Sequence, residues 1–386
     1  MAEPIDPVDQ ALAAAQKQAF QAVPPAGATV TPIRSALARV PGGPVCVGVD
    51  EFLADTEPPV WVVSGLLQAG MVFALTAPTN HGKTAVSLVA ALCVASGRPF
   101  AYRKVRQGGV LVLCGENQDG FRLRMLATMQ SLDISMADIK DRMWVLAQSN
   151  GLAYLLEQIK KDAGKMGVLS MVLVDTSVSF FTGDNENDNQ QAYCHARDLR
   201  ELAELPGKPA VLVNCHPSSG AGKDMTRDSC VPRGGSAFLN EIDTNLSVWS
   251  EGDTAELHWT RKKRGPDFTP ILFEYKGVQM RYHDQDVPTV VAVHIDEDRE
   301  KEVRQRRKEA ESRLMFAMFH NQSGTIREWA REAGFVIRTG VHAGEAHTSF
   351  TVRTLERLKQ YKLAERSQRD GWVLTKQGRE EAKEIK

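Results

Sequence analysis

No run of apolar residues in this chain approaches the eighteen or so that a membrane-spanning helix requires. Met1 to Gln10 carry neither a basic n-region nor an apolar h-region. These absences predict a soluble, cytoplasmic protein without a membrane partner. No C-x-x-C pair occurs among the six cysteines, Cys46, Cys93, Cys114, Cys194, Cys215 and Cys230. Scattered as they are, several within apolar strand-like runs, they read as reduced core thiols rather than disulfides or zinc ligands. No internal repeat is evident. Charge of one sign is also missing, with 47 Lys and Arg against 48 Asp and Glu, but this balance conceals an asymmetry. From Lys301 to Lys386 there are 19 basic and 12 acidic residues, about +7, so the remainder carries about −8. A basic end on a mildly acidic body predicts contact with a polyanion; the alternative is a solvated helical surface.

The 386 residues suffice for one large α/β domain plus a small module. Residues 1–44, rich in Ala, Pro and Gln, read as a mostly disordered arm. Residues 45–290 alternate apolar strands with helical segments: Met71–Thr76, helix 83–96, Gly109–Gly115, helix 119–131, Met143–Ala147, helix 151–164, Leu169–Asp175, helix 187–204 and Pro209–Cys215. That rhythm predicts a mainly parallel sheet with helices on both faces. Three short runs without helices, Asn245–Ser250, Ala255–Arg261 and Pro270–Tyr275, predict an antiparallel extension. A charged linker at 291–311 leads to a module at 312–386. Its helix at about 305–320, Thr325–Ala333, the loop Arg338–His347, helix Ser349–Tyr361 and the strands Leu363–Arg366 and Gly371–Leu374 resemble a winged helix-turn-helix.

Residues 77–84 read Ala77-Pro78-Thr79-Asn80-His81-Gly82-Lys83-Thr84, between an apolar strand and a small-residue helix. This is a phosphate-binding (Walker A) loop in its strand–loop–helix setting, and it predicts binding of ATP with Mg²⁺. Backbone N–H groups and the helix dipole face the phosphates. Lys83 adds a positive charge, the Thr84 hydroxyl is a Mg²⁺ ligand, and Gly82 lets the backbone approach. The pattern departs from G-x-x-x-x-G-K-[ST] at Ala77, expected to slow turnover without abolishing binding, while Asn80 tolerates a left-handed conformation where such loops often carry glycine.

Carboxylates and polar groups close the other strands. Glu116, after Leu113-Cys114-Gly115, is placed to activate the attacking water, or else to cap the next helix. Asp175 ends the buried strand Leu169–Val174 in Walker B form and is a Mg²⁺ ligand through its water shell. His216, after Asn214-Cys215, is a γ-phosphate sensor or a structural histidine. Two long polar loops follow, Phe180–Asn189 and Pro217–Gly235; in the second, Lys223 and Arg227 are candidate contacts to a nucleic-acid strand, with Arg233 nearby. The run Arg261-Lys262-Lys263-Arg264 is a surface basic patch or the source of an arginine finger, Arg264, reaching a neighbouring subunit.

Together these residues resemble the RecA-like ATPases, and among them the RepA-type hexameric replicative helicases of plasmids and phages. The resemblance covers about Cys46 to Tyr282 and includes Pro59–Leu67, Ser96-Gly97-Arg98-Pro99-Phe100, Val110–Glu116, Val174-Asp175-Thr176, Asn214-Cys215-His216, Arg233–Ala237 and Lys262–Pro266. It implies a homo-oligomeric ring, usually hexameric, with ATP at the interfaces and the loops after Asp175 and His216 lining a channel. It also implies that Lys83, Thr84 and Asp175 hold MgATP, with Glu116 as catalytic carboxylate, His216 as sensor and Arg264 as finger. No fused primase or zinc module accompanies the resemblance, so separate primase or loader partners are expected.

The leading expectation is an ATP-dependent helicase or translocase on single-stranded DNA, serving replication of a plasmid, phage or integrated element. Arg353, Arg357 and Lys359, on the expected recognition helix Thr348–Lys359, are candidate DNA contacts, though such a module can equally dock protein. The alternatives are a recombinase-like ATPase that assembles on DNA without unwinding and an ATP-switched DNA-binding regulator.

Overall fold

Residues 72–76 point their side chains alternately to two apolar layers: Phe73 and Leu75 into one, Val72 and Ala74 into the other. A strand buried on both faces belongs in the middle of an α/β sandwich, and that is its place in the computed structural model of the protein. The structure describes residues 48–54, 56–218, 227–282, 284–337, 342–367 and 371–385. The chain divides into two compact units, Met1–Pro58 and Pro59–Lys386. In the first, the described residues form helix α1 (Val49–Ala54); the predicted arm at 1–44 lies outside them.

The second unit opens with the short antiparallel pair β1 (Trp61–Val63) and β2 (Leu67–Gln68). The strand–helix series follows: β3 (Val72–Thr76), α2 (Lys83–Ser96), β4 (Gly109–Cys114), α3 (Gln118–Ser131), α4 (Met136–Ile139), β5 (Met143–Leu146), α5 (Leu152–Met166), β6 (Leu169–Asp175), α6 (Asn189–Ala203), β7 (Ala210–Cys215) and α7 (Gly235–Glu241). Then come β8 (Thr244–Glu251), β9 (Thr254–Trp259), β10 (Ile271–Tyr282) and β11 (Gln285–His294). The strands form one nine-stranded sheet in the order β11-β10-β9-β8-β3-β7-β6-β4-β5. Strands β8 to β5 in that order are parallel, and β9, β10 and β11 are added antiparallel. Helix α2 is buried on nearly every side, as a helix of small and apolar residues must be. Helices α5 and α6 cover the opposite face.

Two stretches differ from the sequence reading. The last antiparallel strand does not stop at Tyr275 but runs to Tyr282, pairing with β11 from Phe273↔His294 to Tyr282↔Gln285. Gly277 and Pro288 hide this hairpin in the sequence; Pro288 is tolerated because β11 is the edge strand. The charged stretch at 291–311 is not a separate connector. It supplies the end of β11 and the first half of α8 (Glu297–His320), which begins well before the predicted 305. Asp296 caps α8 by accepting from Arg299 N at 2.7 Å. Pairs one turn apart, Arg299–Glu302 at 2.8 Å and Arg304–Glu300 at 2.6 Å, support its polar first turns.

Helix α8 continues into α9 (Ile326–Glu332), α10 (Thr348–Gln360), β12 (Ala364–Ser367), β13 (Gly371–Leu374) and α11 (Lys376–Glu384). These elements close around their own core, including Leu314, Met318, Trp329, Leu355, Leu358 and Trp372. A reciprocal Thr325–Glu328 capping box starts α9 at the predicted residue. No helix among the described residues is long and apolar enough to cross a membrane. Of the cysteines, Cys93, Cys114, Cys215 and Cys230 are buried and free, whereas Cys194 is free but exposed rather than in the core; Cys46 lies outside the described residues.

Candidate nucleotide-hydrolysis site

The tips of β3, β7, β6 and β4 are neighbours on one sheet edge, so residues far apart in sequence converge there. Between β3 and α2 the phosphate loop turns through two left-handed residues, Asn80 (φ 65°) and Gly82 (φ 79°). A Cβ at Gly82 would lie 1.9 Å from the Tyr275 hydroxyl, so both the backbone angle and the space demand glycine. Ala77 is not among the left-handed residues and is fully buried in the core under the loop. Its methyl group therefore needs no strained backbone. Pro78, Thr79 and His81 complete the turn.

Lys83, at the first position of α2, donates from Nζ to the Ala77 carbonyl at 3.1 Å. Burial holds its pKa below the usual lysine value, while Asp175 acts in the opposite direction. The Thr84 hydroxyl donates to Asp175 Oδ1 at 3.1 Å, and Asn214 Nδ2 donates to the same oxygen at 2.8 Å. Asn214 also reaches Ser87 Oγ at 2.9 Å, tying the tip of β7 to α2. Desolvation raises the pKa of Asp175, partly offset by those two hydrogen bonds. A carboxylate pressed into a dry site beside a hydroxyl suits a hard divalent cation. Among the described residues no cluster of three or more His, Cys, Asp or Glu is placed to hold a metal alone.

Glu116 does not cap α3. That cap is Asn117, whose side chain accepts from Gly120 N at 3.0 Å. Instead Thr176 donates to Glu116 Oε1 at 2.6 Å, and His216 Nε2 lies 3.8 Å from the same oxygen. The Asp175–Thr176 peptide bond is cis. The Glu116 side chain is 50% exposed. Burial and then Lys83 lower the pKa of His216, which favours a neutral ring.

Three contacts to the loop carry no local sequence signal. Tyr275 donates its hydroxyl to the His81 carbonyl at 2.6 Å, Ser250 N donates to His81 Nδ1 at 3.1 Å, and the Trp249 ring meets the His81 ring edge-on at 5.0 Å. Burial, then Lys83, then Arg353 push the His81 pKa down to about 4.

The other candidates lie elsewhere. Arg264 is at the opposite sheet edge, beside the first residues of β8 and β3. There its backbone N donates to Thr244 Oγ1 at 2.9 Å and its Nη1 to Asp243 Oδ1 at 2.8 Å. Asp243 also accepts from Val72 N and Arg200 Nη1. The Arg264 side chain is 62% exposed. Arg227 pairs with Glu256, and Lys223 lies outside the described residues. Arg357 is not presented to solvent: its Nη1 lies 2.6 Å from Glu251 and its Nε 2.7 Å from Glu311. Arg353 donates to its own helix at Ser349 O, and exposed Lys359 lies over the Trp372 ring.

Residues 38–222, a little under half of the chain, match the family model of an AAA domain. That model describes AAA-type P-loop ATPases, so the matched segment is similar to a nucleotide-binding ATPase domain of the P-loop class. The match takes in the phosphate loop, Glu116, Asp175 and His216 and ends before β8. A search of curated proteins finds no match to the chain.

Proposed function

We propose that the protein is an oligomeric, Mg²⁺-dependent ATPase that moves along single-stranded DNA and separates duplex during replication of a plasmid, phage or integrated element. The observation that carries this reading is the division of the hydrolysis machinery between two sheet edges. Lys83, Thr84, Asp175, Glu116 and His216 share one edge, whereas Arg264 stands exposed at the other, a strand length of about 15 Å away. An arginine there cannot serve its own phosphate loop. It is well placed to serve the loop of a second copy stacked head to tail, and repetition of such a contact closes a ring.

In that ring, backbone N–H groups of 79–84 and Lys83 bind the phosphates, and Thr84 with Asp175 would hold Mg²⁺, which would supply charge neutralisation at the phosphoryl group. Glu116, oriented by Thr176, takes the proton of the attacking water. His216 bridges Glu116 to the loop carrying Arg227, a route from hydrolysis to a DNA-contacting loop. The basic C-terminal elements, read as a winged helix, add affinity for DNA or for a separate loader or primase.

A second reading is favoured by one observation. Arg357 is locked to Glu251 and Glu311, so α10 as placed is not free to enter a duplex groove. A regulator whose C-terminal module is released by ATP would look like this. Strand displacement from tailed oligonucleotides, with ATPase activity stimulated by single strands and lost in Glu116→Gln, is expected of the translocase. Protection of one duplex sequence with slow, unstimulated hydrolysis would replace it with the regulator.

A further inference from the structure

Between α8, α10 and the β8–β9 hairpin lies a cavity of about 620 Å³. This lies within the roughly 300–1,000 Å³ usual for small-molecule sites. None of its lining residues belongs to the phosphate loop itself or is Glu116, Asp175 or His216, although Trp249 packs against His81 of that loop. Six cations and four carboxylates face it. Three arginines, Arg227, Arg307 and Arg357, are neutralised within the lining by Glu251, Glu256 and Glu311. Lys308 is exposed and has no ion-pair or hydrogen-bond partner among the described residues. Arg353 spends one nitrogen on its own helix, at 3.2 Å from Ser349 O. Two aromatic side chains, Trp249 and Tyr361, lie on the same lining.

We propose that this cavity is a second nucleotide site, in which Lys308 and Arg353 take a phosphate group and Trp249 or Tyr361 stacks the base. Cations alone would suit any anion. An aromatic side chain on the same lining selects for a ligand with a flat π-face next to its negative charge. An acidic peptide has the charge and lacks the face. The ligand's source is a free nucleotide or the bases of a single strand, which share this chemistry. The site also has a physical link to the first one: the Trp249 ring that would stack the base rests against His81 of the phosphate loop. Occupancy of either site therefore biases the other, reciprocally. None of this depends on whether the protein unwinds DNA.

Isothermal titration of the full chain with a non-hydrolysable ATP analogue, and anisotropy with a fluorescein-labelled oligothymidylate, test the assignment. For a free nucleotide, two equivalents per chain are expected. Lys308→Glu or Arg353→Gln then removes one and Lys83→Ala the other. For a strand, one equivalent of analogue is expected, and Lys308→Glu weakens oligothymidylate binding about tenfold or more, the loss of one charge-assisted contact. The remaining phosphate-loop equivalent certifies that each variant is folded, and Lys308→Gln is the milder substitute. One equivalent of analogue together with oligothymidylate affinity unchanged within twofold in both variants would overturn the proposal. So would equal competition by a poly-glutamate peptide.

Discussion

At Ala77 the loop lacks the glycine its pattern leads one to expect, yet the backbone there is not left-handed and the methyl group is buried. The left-handed turns fall on Asn80 and Gly82 instead. Ala77→Gly is therefore expected to lower stability by about 1–2 kcal/mol, the sum of added chain entropy and a lost buried methyl. Urea unfolding reads this, and an unchanged or higher midpoint in Ala77→Gly would contradict it. A second residue-scale effect belongs to His195. Its Nε2 lies 3.0 Å from Ser177 Oγ, it packs between Phe181 and Phe238, and burial pushes its pKa from 6.5 down to about 4. The unfolded chain binds this proton first, so the stability is complete above pH 6.5 and drains away as pH falls toward 4. The amount is on the order of 3 kcal/mol, and His81 shifts in the same direction. Urea midpoints at pH 7.5 and pH 5 are expected to differ less in His195→Gln than in the parent; an undiminished difference would assign the acid sensitivity elsewhere.

Among the elements, legibility in the sequence follows burial. The strands carrying the loop, Glu116, Asp175 and His216 are apolar runs closed by a polar residue, and each was readable from that contrast. The β10–β11 hairpin was not, because half of it is polar, edge-exposed and interrupted by Gly277 and Pro288. The same holds for the start of α8, whose stability comes from charge pairs rather than from an apolar stripe. Nor could any local pattern reveal that Glu251, at the end of β8, sits between Arg307 and Arg357. Glu251→Gln leaves both arginines under-compensated and is expected to cost about 3 kcal/mol, as breaking a buried ion pair does. The loosened α8 should then be cut faster by trypsin between residues 299 and 313. Equal cleavage rates would show that apolar packing at Leu272, Ile295 and Val303 holds the helix alone.

For the whole molecule, the separation of Arg264 from the phosphate loop sets the prediction. Lys83→Ala and Arg264→Ala are each expected to lower ATP hydrolysis at least about 100-fold. Mixed in equal amounts they should recover part of it, because some interfaces then combine an intact loop with an intact arginine. No recovery on mixing would return Arg264 to its role of pinning Asp243. The tyrosine that closes the loop has a further consequence. Tyr275 lies 194 residues beyond the His81 carbonyl it holds, and Ser250 lies 169 residues beyond the His81 imidazole. On the ribosome the phosphate loop emerges long before either partner, and β3 waits for β8 to complete its pairing on one side. A nascent chain carries all of the matched AAA segment while its loop is still untethered, and the loop gains these two contacts late in synthesis, only once the C-terminal strands have closed over it.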